Sequence, residues 1–136
     1  MSKIDGSLDA NVILRIILGD IPNQREAAKK LISNSKGIYV VSDLAIVEVG
    51  YILKANYNFS RKQILDTLGS FLLHPAIKSN LTLMQRAFQM YILNPKLSFT
   101  DCCLATRAEF DGASPLWTFD QKLAKNSAYN TRLIEA

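Results

Sequence analysis

The chain has 136 residues, 49% of them hydrophobic and 21% charged, with 6 Gly and 4 Pro. That length bounds one domain with one core, and the composition excludes the disordered, collagenous and low-complexity classes. Sixteen Lys and Arg against twelve Asp and Glu leave a net charge of +4, a mild bias toward anionic partners that many proteins binding no nucleic acid share.

Ser7-Leu8 reads as the end of a short strand, and Asp9-Ala10-Asn11 leads into an apolar helical run from Val12 to Leu18 that closes at Gly19. Pro22 to Ser33 is a second helix, with Ala27, Ala28, Leu31 and Ile32 on one face and Arg25, Lys29 and Lys30 on the other. Gly37 to Val41 is a buried-strand signal, and Ser42 is the N-cap of a helix from Asp43 to Lys54. A turn at Asn56 to Asn58 precedes a helix capped by Ser60 and stopped at His74-Pro75. Leu81 to Leu93 is helical and ends at Asn94-Pro95. Ser98 with Asp101 resembles a capping box opening a helix from about Phe99 to Phe110. A strand at Leu116 to Phe119, a short helix from Asp120 to Lys125 and a strand at Thr131 to Ile134 complete the chain. Strands alternate with helices, so the expected class is α/β with a mostly parallel sheet and helices on both faces.

The two cysteines, Cys102 and Cys103, are adjacent and lack the spacing of a zinc or redox motif, which points to a reducing, cytoplasmic setting. The N-terminus, from Met1 to Ser7, has no apolar signal region. The longest apolar stretch is too short to span a bilayer, so no membrane association is expected. His74 is the only histidine, which leaves no histidine-based triad or zincin. Neither a P-loop nor a dinucleotide fingerprint occurs. An aspartyl-nucleophile phosphatase would want a second acid two residues after Asp9, where Asn11 stands.

Four acids carry the chemistry. In an open parallel sheet, ligands bind beyond the carboxyl ends of the strands, and Asp9 and Asp120 stand at such strand-to-helix junctions. Asp101, in the first turn of its helix, points toward the same edge if its crossover is right-handed. Taken singly, each of these three also suits a helix cap. Glu48 does not: it lies mid-helix in Leu44 to Leu53, the one charge before Lys54, and is either a carboxylate buried on an apolar helix or a solvated gap in its surface. Together the four offer hard oxygen ligands for one or two Mg2+ or Mn2+ ions, which bind phosphate oxygens and activate water. Two carboxylates about 6 Å apart at an effective dielectric of about 20 repel by roughly 3 kcal/mol, so a cluster of four implies a cation.

The motifs Leu8-Asp9-Ala10-Asn11-Val12-Ile13-Leu14-Arg15, Val47-Glu48-Val49, Phe99-Thr100-Asp101-Cys102-Cys103-Leu104-Ala105 and Leu116-Trp117-Thr118-Phe119-Asp120-Gln121-Lys122-Leu123 occur in this order. The sequence resembles the PIN-domain nucleases, and most of all the VapC-type toxins, over nearly its whole length. The resemblance implies a single PIN-like domain over residues 1–136, folded as a three-layer α/β/α sandwich with a mostly parallel central sheet. It implies a Mg2+- or Mn2+-dependent ribonuclease that cleaves RNA phosphodiester bonds with metal-activated water. Asp9, Glu48, Asp101 and Asp120 match the family's acidic residues, and Asn11 and Thr118 match polar neighbours that orient them. Such toxins usually form homodimers and are neutralised by a small antitoxin. Lys122, just after Asp120, is the basic residue expected near the RNA. The alternative is a non-catalytic RNA- or protein-binding domain of the same fold.

Overall fold

The computed structural model describes residues 3–34 and 36–136. The N-terminal reading above rests in part on Met1 and Ser2, which lie outside the described residues. The chain divides into two compact units, one ending at Leu81 and the other beginning at Thr82.

In the first unit, β1 (Ile4–Ser7), α1 (Ala10–Leu18), α2 (Pro22–Ser33), β2 (Ile38–Val40), α3 (Asp43–Tyr57), α4 (Arg61–Leu72) and β3 (Ile77–Lys78) follow one another. The three strands pair in parallel in the order β1-β2-β3. β1 is an edge strand of this sheet with Ile4, Asp5 and Ser7 exposed, which accounts for its poverty in apolar residues. Its register is held at Gly37. The Ile38 amide donates to the Lys3 carbonyl over 2.8 Å, and the Gly37 amide donates to Asp5 Oδ2 over 3.1 Å. A Cβ at Gly37 would run into that Lys3 carbonyl oxygen and come within 2.7 Å of Asp5 Oδ2, so no larger residue fits there without moving the strand.

Helix boundaries follow their caps. Gly19 ends α1 in the left-handed conformation at φ 63°, with its amide bonded to the Arg15 carbonyl. Ser42 caps α3 through the Ala45 amide. α3 runs to Tyr57, through the expected turn, and stops where Asn58 turns left-handed at φ 53°. Ser60 and Gln63 form a reciprocal capping box at the start of α4. β3 was not anticipated: two residues, of which only Ile77 is buried, carry no periodicity to read. α1 packs on α3 and α4, and α3 on α4. Ile13, Ile46, Val49, Leu53, Ile64 and Leu68 are fully buried in this unit.

The second unit contains α5 (Leu81–Leu93, of which Leu81 is the junction residue), α6 (Phe99–Phe110), β4 (Leu116–Thr118), α7 (Gln121–Asn126) and β5 (Thr131–Leu133). β4 and β5 pair in parallel, with Trp117 opposite Arg132. Phe99 stacks on Phe88 at 5.0 Å between centroids and meets Tyr91 edge-on at 5.4 Å, so the start of α6 is anchored on α5. Cys102 and Cys103 are buried and unbridged, small core residues rather than reactive thiols. The architecture is α/β with every strand pairing parallel, and among the described residues the pairing is divided between a three-stranded and a two-stranded sheet.

Candidate active site

Asp9 stands one residue past the β1–β2 ladder, which the Leu8 amide extends by donating to the Val40 carbonyl over 3.0 Å. Leu8 and Ala10 are buried, and the side chain between them faces outward. Asp9 is extended at φ −85°, ψ 174°, and its Oδ1 accepts the Val12 amide over 3.0 Å. It is therefore the N-cap of α1, and that bond engages one carboxylate oxygen.

Asp120 repeats this arrangement after β4. Its Oδ1 accepts two amides, from Lys122 over 2.9 Å and from Leu123 over 3.2 Å. Its own amide donates to Thr118 Oγ1 over 2.9 Å. Thr118 thus holds the backbone at the start of the turn that carries Asp120. Lys122 is exposed and contributes its backbone amide to the same turn. Asn11 is exposed in the first turn of α1.

Asp101 is half-buried in the first turn of α6. Its amide donates to Ser98 Oγ over 3.1 Å. This is one half of the expected capping box. Unlike Gln63 in α4, the shorter Asp101 side chain does not return the bond to the Ser98 amide, so its carboxylate is not used as a cap.

Of the two readings open for Glu48, a carboxylate buried on an apolar helix or a solvated gap in its surface, the structure shows the second, because Glu48 is exposed. The buried residues of α3 are Ala45, Ile46, Val49, Gly50 and Leu53, a single stripe at helical spacing. Glu48 lies on the opposite side, with Leu44 at 84% and Tyr51 at 64% exposure. Within Leu44 to Leu53 the exposed positions are apolar apart from this acid, which is why the pattern alone did not decide between the two readings.

Each unit thus carries two of the four acids: Asp9 and Glu48 on the packed pair α1 and α3, Asp101 and Asp120 on α6 and at the end of β4, which also pack together. Among the described residues, none of the four takes part in an ion pair. Arg15 pairs with Asp20, Lys62 with Asp66 and Arg107 with Asp111. Their charges are not neutralised by the chain itself, and no group of three or more His, Cys, Asp or Glu stands ready to hold a metal ion among the described residues. His74 is spent locally, with Nδ1 accepting the Ala76 amide over 3.0 Å. Two exposed aromatics stand close to Asp120 in sequence and were given no functional role from the sequence: Trp117 on β4, and Phe119 in the bend after it, where the strand expected to reach Phe119 has already ended at Thr118.

The chain is an α/β domain with parallel strands, and Asp9 and Asp120 stand at strand-to-helix junctions, the edge where open parallel sheets bind ligands. The family model for the PIN domain matches residues 7–128, and the chain belongs to the PIN domain family. PIN domains are generally nuclease domains and typically use divalent metals. The chain has no match among curated proteins. Among the described residues, no helix is long and apolar enough to cross a membrane.

Proposed function

We propose that this PIN domain is a ribonuclease dependent on Mg2+ or Mn2+, with Asp9, Glu48, Asp101 and Asp120 as the metal-ligating and catalytic acids. The observation that carries the reading is at Asp120. Both backbone amides fall on Oδ1, which leaves Oδ2 to a cation, while the Thr118 hydroxyl fixes the turn from behind. Asp9 is arranged in the same way, with Oδ1 on the Val12 amide. All four donors are hard carboxylate oxygens, and Mg2+ is commonly held by only one or two carboxylates together with water and phosphate oxygens. The donor set therefore fits such an ion, although each unit supplies only two of the acids.

When bound, a divalent ion supplies positive charge that polarises the scissile phosphate and lowers the pKa of attacking water. The chain's own residues do the rest. Asp9 and Asp120 are held rigidly by their caps, Thr118 orients Asp120, and Asn11 and Lys122 stand beside these two acids to meet RNA oxygens. The biological setting we propose is that of a cytoplasmic toxin, forming a homodimer as a single domain over residues 1–136 and neutralised by a small antitoxin.

The absence of a three-acid group among the described residues favours a second reading, a PIN domain that binds RNA or protein without cutting it. Incubating purified protein with labelled RNA in Mg2+, Mn2+ or EDTA separates the two. Cleavage that requires metal and is lost in Asp9→Asn supports the nuclease; intact RNA in all three conditions leaves the binding domain.

A further inference from the structure

The second unit carries a shallow, wide-open groove of about 730 Å3 bounded by β4, β5 and α7. Trp117, Gln121, Lys125, Arg132 and Glu135 line it. Trp117 is 56% exposed and lies in register with Arg132 across the β4–β5 pair. Gln121 and Lys125, one turn apart on α7, belong to the same groove. Phe119, 68% exposed, lies in the bend that follows β4 and is immediately followed by Asp120.

The groove holds an exposed indole beside two cations and one acid, and of these Lys125 and Glu135 are residue types depleted at the centres of protein interfaces. It suits a single-stranded nucleic acid, whose bases stack on aromatic faces while Lys and Arg track the phosphates. A duplex keeps its base faces stacked on one another and has none to offer Trp117. Two cations against Glu135 leave the groove net positive. We propose that this groove binds single-stranded RNA, with a base on Trp117 and phosphates at Lys125 and Arg132, and leads the strand past Phe119 toward Asp120. The choice of ligand rests on the ribonuclease reading, but binding here requires neither a metal ion nor the four acids.

Trp117 is the only tryptophan, so its emission reports on the groove directly. Titrating the protein in EDTA with a twelve-nucleotide oligouridylate should quench that emission saturably. Lys125→Ala and Arg132→Ala should each reduce the slope of log affinity against log salt by about 0.7. With an end-labelled oligouridylate followed by anisotropy, Trp117→Ala should weaken binding about fivefold or more. Trp117→Phe, which keeps a ring and the fold, should stay within a few-fold of the parent. Emission that does not change while the labelled oligomer binds, or an unchanged salt slope in both cation variants, overturns the proposal. So does an emission change that follows protein concentration instead of RNA, which assigns the groove to a second copy of the chain. Quenching without metal-dependent cleavage would refute the nuclease reading and keep the groove; metal-dependent cleavage without quenching would do the reverse.

Discussion

Replacing Asp120 separates its two possible occupations. Its Oδ1 accepts the Lys122 and Leu123 amides at the start of α7, a helix of six residues with only Leu123 buried. Removing a capping side chain costs about 0.5–2 kcal/mol, and for so short and exposed a helix the lower half of that range applies, about 1 kcal/mol. At this chain length that is a fall in Tm of about 3–5 °C. Asp120→Ala should show this loss. Asp120→Asn keeps an amide oxygen in the same place, and asparagine caps as well as aspartate, so its Tm should stay within about 1 °C of the parent. Both variants remove the anionic oxygen that the cap does not use, and both should lose metal-dependent RNA cleavage by about a hundredfold or more. Scanning calorimetry in EDTA and a gel assay of labelled RNA in Mn2+ read the two effects apart. If Asp120→Asn cut RNA as fast as the parent, the carboxylate would be a cap and nothing else.

Glu48 is exposed, so Glu48→Gln should change stability in EDTA by less than about 0.5 kcal/mol while cleavage falls; a large loss of Tm would make it a structural residue instead. Gly37→Ala should cost about 1–3 kcal/mol in chemical denaturation, because the new methyl meets the Lys3 carbonyl and the β1–β2 register must shift to admit it; an unchanged midpoint would contradict that close approach. Ser60→Ala should cost about 1 kcal/mol by removing the hydroxyl that accepts the Gln63 amide, while the Ser60 amide keeps its bond to Gln63 Oε1, and should leave cleavage unaltered. Mn2+ or Mg2+ at about one hundred times its Kd should stabilise the chain by roughly 2.7 kcal/mol, and Asp9→Asn or Asp101→Asn should shrink that gain; equal Tm values in EDTA and in several millimolar Mn2+ would speak for the binding domain.

The sequence was most legible where backbone chemistry is local. Ser42, Ser60, Ser98, Asp9 and Asp120 each announce a helix start through a short side chain that can reach amides two or three residues ahead, and each caps the helix read from it. Gly19 is equally plain as a stop, since the left-handed turn it makes suits a residue without Cβ. Legibility failed where the answer depends on which face meets the core. In α3 the run Leu44 to Leu53 is apolar on all sides, and nothing in its pattern distinguishes Ile46, which is buried, from Leu44 and Tyr51, which are not, so the sequence left Glu48 open between a buried and a solvated carboxylate. β3 was invisible because two residues show no alternation. The division of strand pairing between two sheets depends on contacts distant in sequence, which spacing alone does not encode.

At the acids, the two sequence readings are compatible. A carboxylate has two oxygens, and the capping geometry at Asp9 and Asp120 engages Oδ1 alone. The cap fixes the rotamer, so a cation meeting Oδ2 would find a ligand whose conformational entropy is already lost. Asp101 reaches a similar result by another route, because Ser98 takes over the capping and leaves its carboxylate uncommitted at the head of α6. Glu48 has no such fixing bond and sits on a solvent-facing side of α3. Of the four it is therefore the acid whose contribution should depend most on the ion itself, and Glu48→Asp, which shortens its reach by one methylene, should cost more metal affinity than the small stability change it causes.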